Sequence, residues 1–264
     1  MDPQALMDFL GFSTGEVERA ALVLSRLTGL FLAAPFFSRS VGPMRVRLAL
    51  MVAVAWVLFP LAPHWPGEGK GQAVAMSLAV INEVLLGATV GIITHWVLVA
   101  TQTAGSLMGF EMSLSMAEVM DPTSGMREGV LSNMLYLAAL MIYLIINGHH
   151  LLLEGLARSF KTLPLGVGLP RGDGLLATVA QGVSHMFVLA MMIAAPVVVA
   201  SKLLYLGLGL INRASPQIQV FFVAMPIMQL VGFIIMGLGM TIFSDVLVRE
   251  IEFFLELGFS IARR

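Results

Sequence analysis

The stretch GSLMGFEMSLSMAEVMDPTSGMRE, residues 105–128, lies between two strongly apolar runs and is neither a plain turn nor a plain membrane span. Its methionines recur every four residues, at Met108, Met112, Met116 and Met120. On a helix this spacing places the four thioethers along one face. The pattern ends at Asp121, because the residue before a proline is disfavoured in the helical region. The stretch therefore carries a methionine stripe with a defined end.

Two interpretations of this stripe are consistent with the sequence. Small residues fill the positions between the methionines. Methionine is unbranched and polarisable, so its side chain adapts to whatever it touches. A pliable segment of this kind at membrane depth fits a seal that opens and closes. The same pattern fits a loop whose methionines face the protein core, and the spacing alone leaves both interpretations open.

The composition indicates an integral membrane protein. Of the 264 residues, 58% are hydrophobic and only 12% are charged. Soluble domains carry about 25% charged residues. The formal net charge of -1 gives no indication of a nucleic-acid partner. There is no cysteine, which excludes disulfides, thiol nucleophiles and cysteine metal sites.

About six hydrophobic segments follow one another along the chain. They are residues 20–37, 48–62, 73–103, 130–146, 175–200 with 203–211, and 220–243. Residues 73–103 far exceed the ~20 residues that span a bilayer, and several other segments contain proline, glycine or polar residues. Broken helices are tolerated at membrane depth where protein or a water-filled cavity covers them. The sequence predicts an all-α, polytopic membrane protein with broken helices and hairpins, wrapped largely by partner proteins.

The domain organisation is predicted to be simple. There is no convincing internal repeat, so residues 1–264 are predicted to form a single domain. Within it, residues 105–128 are predicted to be a plug-like loop. Residues 244–264 alternate acidic and apolar side chains in the manner of an amphipathic helix. Residues 147–173 are predicted to contain a short amphipathic helix that ends in a Pro/Gly loop.

Glu83 is the most informative single residue, because an acid within a long apolar helix is by default a functional hypothesis in a membrane. It fits a proton relay, as in a proton-coupled secondary transporter, or a pair with a cation from a neighbouring subunit. Gly87 and Gly91 continue at fourfold spacing and form a small-xxx-small face for close helix approach. The sequence favours an inter-subunit contact over a proton relay.

Enzymatic chemistry finds little support in the sequence. His149, His150 and Glu154 superficially suggest a metal site, but the H-E-x-x-H pattern is absent and no third ligand lies at a useful spacing. There is no G-x-S-x-G elbow and no P-loop. His95 and His185 are each alone on an apolar helix, and we expect a neighbouring side chain to satisfy each. We expect no enzyme activity, no metal and no cofactor.

Four segments in order along the chain resemble one known family. They are GLGLINRASPQIQVFFVAMPIMQLVG at 207–232, NGHHLLLEGLARSFKTLPLG at 147–166, the P-F-F-S and G-P-x-R-x-R-L-A-L pattern within 34–50, and the stretch at 105–128. Each motif is soft by itself, but four in order are specific. The chain resembles the FliR family of flagellar export-gate proteins and its virulence-system counterparts.

This resemblance implies a non-enzymatic core subunit of the flagellar type III export gate in the bacterial inner membrane and flagellar basal body. It implies assembly of one copy with FliP, FliQ and an FlhB-like protein into a helical channel for unfolded flagellar subunits. The loop at 105–122 would help to seal the closed pore, through Met108, Phe110, Met112, Leu114, Met116 and Met120. Residues matching the family signature would make structural contacts between subunits, at Arg213, Pro216 and Gln217. The alternative is the transporter that uses Glu83, for which the expected inverted repeats are not evident.

Overall fold

A computed structural model describes residues 13–35, 43–65, 72–114, 129–167, 173–214 and 220–261. The helices are α1 (Thr14–Ala33), α2 (Met44–Leu58), α3 (Gln72–Glu111), α4 (Val130–Ile145), α5 (Gly148–Thr162), α6 (Asp173–Ala214) and α7 (Val220–Ser260). A short 3-10 helix, Phe59–Leu61, continues α2. The described residues contain no strand, so the prediction of an all-α fold is confirmed.

Four stretches of helix are long and apolar enough to cross a membrane: Met44–Leu61, Val74–Glu111, Gly174–Ala214 and Phe222–Ser260. The pair formed by α4 and α5 passes the same test as a single broken span. The polytopic membrane character predicted from the sequence is therefore confirmed for the described residues. The count of segments differs because α1, which covers most of the predicted segment 20–37, is not among these stretches; it carries four charged residues, including Arg26 in its middle.

The polar pair Ser201–Lys202 does not end a helix, although it interrupts the apolar sequence. The sequence separates the apolar runs 175–200 and 203–211 at this point, yet both belong to α6. A helix satisfies its backbone hydrogen bonds internally, so two polar side chains do not end it. The predicted amphipathic tail at 244–264 likewise begins as an unbroken continuation of α7, which reaches Ser260.

The described residues group into two compact units. The first comprises Met1–His95, Asn147–Gly182 and Glu252–Arg264, and the second comprises Trp96–Ile146 and Val183–Ile251. In the first unit, α1 buries an apolar face that includes Leu22, Leu27 and Leu30. The predicted short amphipathic helix is present as α5, which buries Leu152, Leu156 and Phe160 among others.

In the second unit, α3 and α4 approach each other closely. A Cβ atom on Gly105 would lie 2.6 Å from the Cα atom of Ser132. The Ser132 hydroxyl donates a 2.8 Å hydrogen bond to the carbonyl of Gln102. The Ser106 hydroxyl lies 3.1 Å from the Ser132 hydroxyl. Close backbone approach at small residues, supplemented by hydroxyl hydrogen bonds, is the usual packing mode of membrane helices.

Candidate functional site

A buried ion pair joins α1 to α3 in the first unit. Nε of Arg26 lies 2.5 Å from Oε2 of Glu83, and Nη2 of Arg26 lies 3.1 Å from Oε1. The side chains are 0% and 1% exposed. A guanidinium and a carboxylate that meet through two parallel contacts form the most specific ion pair available to proteins.

Further groups complete the surroundings of this pair. The Arg26 guanidinium donates to the Ser159 hydroxyl at 3.2 Å and to the Leu163 carbonyl at 3.1 Å, while its carbon lies 4.5 Å from the centre of the Phe160 ring. The Gly166 amide donates to Glu83 at 2.9 Å. Buried charges are tolerated only when they are paired and hydrogen-bonded, and here both are. The pair thereby fixes α5 and the turn that follows it against α1 and α3.

Gly166 has a backbone reason to be glycine. Its φ of +78° lies in the left-handed region, which side chains disfavour. A Cβ atom there would also lie 2.2 Å from Nε1 of Trp65. The turn therefore presents the Gly166 amide to Glu83 only because no side chain is present.

Glycines bring the backbones of α1 and α3 into contact beside the ion pair. A Cβ atom on Gly87 would lie 2.0 Å from the carbonyl oxygen of Arg26, and one on Gly29 would lie 2.1 Å from the carbonyl oxygen of Val84. A Cβ atom on Gly91 would lie 2.8 Å from the Cβ of Ala33. This close approach places the Arg26 side chain within reach of Glu83.

The close-approach face at Gly87 and Gly91 is thus present, but it packs against α1 of the same chain. The sequence predicted a contact with another subunit for Glu83, Gly87 and Gly91, whereas the structure places all three in an intrachain contact. The physical reason is that Glu83 finds its cation at Arg26. The sequence analysis missed Arg26 as the partner, although an arginine in the middle of an apolar run was the available signal.

The end of α3 lies in the second unit, within the stretch predicted to be a plug-like loop. Residues 105–111 are the last two turns of α3, so the loop can begin only after Glu111. Ser113 has a φ of 61° in the left-handed region. Its amide donates to the Phe110 carbonyl at 3.1 Å, and the Leu114 amide donates to the Gly109 carbonyl at 2.9 Å. These two bonds form a Schellman motif that ends the helix.

The structure divides the six predicted seal residues into different surroundings. Met108 and Met112 are buried within the chain, at 2% and 0% exposure. Phe110 is 74% exposed and Leu114 is half-buried. Met116 and Met120 lie outside the described residues. The first half of the methionine stripe therefore faces the interior of the second unit.

Met108 and Met112 each have a specific environment there. Met108 lines an apolar cavity of about 220 Å³ together with Met192, Met236 and Met240. Met112 packs on Gly232 of α7, where a Cβ atom would lie 2.6 Å from its sulfur. Met108 thus faces other methionine side chains, whereas Met112 fills the space beside a glycine.

An ion pair holds the last residue of α3. Nζ of Lys202 on α6 lies 2.6 Å and 2.9 Å from the two carboxylate oxygens of Glu111. The Lys202 side chain is 59% exposed, and its Nζ also lies 5.7 Å from the centre of the Tyr205 ring. The sequence analysis missed this pair, because residues 91 positions apart give no joint signal in one sequence.

The remaining candidates have simpler environments. Arg213 is exposed near the end of α6, and Pro216 and Gln217 lie outside the described residues. Nε2 of His185 lies 2.6 Å from Oε2 of Glu250, so a neighbouring side chain does contact this histidine, as expected.

The histidines considered as metal ligands are not joined by a third ligand. The rings of His149 and His150 stack with their centres 4.2 Å apart, and Glu154 pairs with Arg158 at 2.6 Å. Among the described residues, no group of three or more histidine, aspartate or glutamate side chains is arranged to hold a metal ion.

Comparisons with known proteins cover most of the chain. The model of the family "Bacterial export proteins, family 1" matches residues 17–254. The chain is 32% identical to the flagellar biosynthetic protein FliR of Bacillus subtilis (strain 168) over 232 residues, which is 87% of this chain and 88% of that protein. It is 32% identical to FliR of Escherichia coli (strain K12), covering 81% of each chain. It is 28% identical to FliR of Caulobacter vibrioides, covering 86% of this chain and 90% of that protein.

Proposed function

The chain belongs to family 1 of the bacterial export proteins and, within it, to the FliR proteins of flagellar protein export, and from this membership we propose its role in the export gate. We propose that it is a non-enzymatic core subunit of the flagellar type III gate in the bacterial inner membrane, within the flagellar basal body. With FliP and FliQ, and with an FlhB-like protein attached, it forms the channel through which unfolded flagellar subunits pass.

The observation that carries this proposal is the length of the apolar helices. The membrane-crossing candidates in α3, α6 and α7 belong to continuous helical stretches of 38, 41 and 39 residues. At 1.5 Å per residue each reaches about 60 Å, whereas the hydrocarbon core of a bilayer is about 30 Å thick. A bilayer alone does not cover helices of such length. Neighbouring protein helices would, which is the environment that a helical gate provides.

The outer faces of these helices carry the side chains that such neighbours would cover. Large apolar side chains are exposed along α6 and α7, including Leu206, Leu210, Leu230 and Leu238. Arg213 is exposed beside them near the end of α6. We place Arg213, with Pro216 and Gln217, at a contact between subunits. The Glu83 cluster contributes by fixing the internal geometry of the first unit.

The stretch at 105–122, which begins with the last two turns of α3, helps to seal the closed pore in this proposal. Phe110 is the seal residue with the most exposed side chain among those described. Met108 and Met112 are buried on the same two turns, and they anchor the helix from which the loop departs. The seal therefore combines an internal methionine anchor with an exposed aromatic side chain.

The transporter alternative gains no support from the geometry around Glu83. A proton carrier must exchange its proton with an accessible pathway, whereas Glu83 is 1% exposed and accepts hydrogen bonds from Arg26 and from the Gly166 amide. Protonation would leave the buried Arg26 charge uncompensated. We therefore assign Glu83 to the intrachain ion pair.

Native mass spectrometry tests the assembly. The chain is expressed together with its FliP, FliQ and FlhB partners and is purified in a mild detergent. We expect one copy of this chain in a complex with several copies of FliP and FliQ. A monomer or homodimer that persists despite abundant co-expressed partners would contradict the gate proposal.

A further inference from the structure

Gly232 leaves room for one specific side chain. A Cβ atom at this position would lie 2.6 Å from Cγ, 2.6 Å from Sδ and 2.7 Å from Cε of Met112. Nonbonded carbon atoms pack best at about 3.5–4.0 Å. Met112 is fully buried, so the outer part of its side chain fills the place that any residue other than glycine would need.

The other glycines nearby on α7 do not have this constraint. A Cβ atom on Gly237 or Gly239 would meet no atom of the described residues within 4 Å. A glycine inside a helix is less favourable than alanine. The contact with Met112 is therefore a structural reason for a glycine at position 232.

Met112 occupies the critical position at the end of α3. It precedes Ser113, whose left-handed backbone is strained for a residue with a side chain. Such a conformation persists only when its surroundings enforce it. Two contacts hold the residues immediately before Ser113: Met112 packs against Gly232, and Glu111 pairs with Lys202.

We propose that Gly232 is a positioning residue of the export gate. It acts through Met112 to fix the point at which α3 stops and the following loop departs. The functional consequence rests on the seal role proposed above for residues 105–122. A side chain at 232 displaces the Met112 thioether, releases the strained stop at Ser113 and shifts the base of the seal.

Hydrogen exchange of the gate complex tests the positioning directly. In Gly232→Ala we expect the amides of Met112, Ser113 and Leu114 to exchange roughly tenfold faster or more, since an overpacked contact opens locally. The matched control is Gly237→Ala on the same helix, where a Cβ atom meets no described atom of this chain within 4 Å, and exchange at 112–114 stays at the wild-type rate.

A second variant, Met112→Ala, tests whether alanine at position 232 accelerates exchange through its contact with Met112. Met112→Ala lacks the atoms that the new Cβ would strike, so alanine at 232 adds nothing on that background. We expect Met112→Ala and the double variant to exchange alike at Ser113 and Leu114. If alanine at 232 accelerates exchange equally on both backgrounds, the effect does not pass through Met112 and the proposal is overturned. Should Gly232→Ala fail to assemble, Met112→Ala alone empties the same contact, and unchanged exchange at Ser113 would overturn the proposal.

A measurement of ion leakage distinguishes the positioning role of Gly232 from the seal role of residues 105–122. Membrane conductance is measured in cells whose export apparatus carries Gly232→Ala, Gly237→Ala or the wild-type chain. Faster exchange together with leakage only in Gly232→Ala supports both proposals. Faster exchange without leakage overturns the seal role of 105–122 and keeps the positioning. Unchanged exchange overturns the positioning, whatever the conductance.

Discussion

Glycine makes two very different contacts along α3 and its end. Gly87 faces the backbone of α1, where the nearest atom to an added Cβ is a carbonyl oxygen at 2.0 Å. At the end of α3 the contact is made by Gly232 of α7, which faces the flexible thioether of Met112. Backbone has nowhere to move without separating the helices, whereas a methionine side chain can rotate. The first contact therefore yields only if the helices separate, whereas the second yields if the Met112 side chain is displaced.

The ion pairs beside these contacts differ in the same sense. Arg26 and Glu83 are almost completely buried, and each has further hydrogen-bond partners. Lys202 is 59% exposed beside Glu111. Water that reaches the second pair screens it and can replace either partner. One helix thus carries a fixed crossing in the first unit and an adjustable end in the second unit, where a seal would have to move.

Breaking the buried pair is expected to have the largest effect. Glu83→Gln leaves the Arg26 charge uncompensated in the interior, which costs about 3–5 kcal/mol of unfolding free energy. Denaturant unfolding of the full chain in detergent micelles measures the loss. The matched control is Glu111→Gln, which breaks an ion pair on the same helix and is expected to cost about 1 kcal/mol or less. Equal losses in the two variants would show that the two pairs do not differ in the way their burial indicates.

Much of the first unit follows from the sequence, and the reason is periodicity. The fourfold spacing of Gly87 and Gly91 predicted a face for close helix approach, and the amphipathic pattern predicted α5. Neither pattern identifies the helix on the other side. The pairing of Arg26 with Glu83 joins residues 57 positions apart, and a single sequence holds no joint signal for such a contact.

The methionine stripe shows a different limit. Its spacing correctly implies that Met108 and Met112 share a helical face, because both lie on the last turns of α3 or just after them. Spacing does not distinguish a face toward the core from a face toward a pore. The structure buries both residues within the second unit, and the absence of a side chain at Gly232 provides the space for Met112. That information lies 120 residues away in the sequence.

An intermediate effect is expected from a methyl group at the rigid crossing. Gly87→Ala places a Cβ atom against the Arg26 carbonyl and forces α1 away from α3, which costs about 1–3 kcal/mol. Gly207→Ala on α6 is the matched control, since a Cβ atom there meets nothing within 4 Å. It is expected to be neutral or to stabilise by up to about 1 kcal/mol. Unfolding in detergent micelles compares the two variants, and a Gly87→Ala chain as stable as the control would refute the rigid crossing.

The smallest effect is expected at the exposed start of α1, the helix that carries Arg26 and Gly29. The Ser13 backbone amide donates to the Glu16 carboxylate at 2.9 Å, and the Ser13 hydroxyl lies 3.1 Å from the same oxygen. These hydrogen bonds hold the pKa of Glu16 below its ordinary value of 4.5. Because the pKa is lowered by folding, the stabilisation is complete above that value and is lost as the pH falls through the lower folded-state pKa.

Glu16→Gln isolates this contribution, because a glutamine retains the capping-box hydrogen bonds but does not titrate. Melting temperatures of the full chain are compared from about pH 5 down to about pH 3. We expect a shallower decline in Glu16→Gln than in the wild type, and an unaltered decline in Glu18→Gln, since Glu18 makes no hydrogen bond to Ser13 among the described contacts. Identical slopes for wild type and Glu16→Gln would mean that the capping box is already lost in solution. The crossing would then depend on its glycines and its ion pair without help from the helix end.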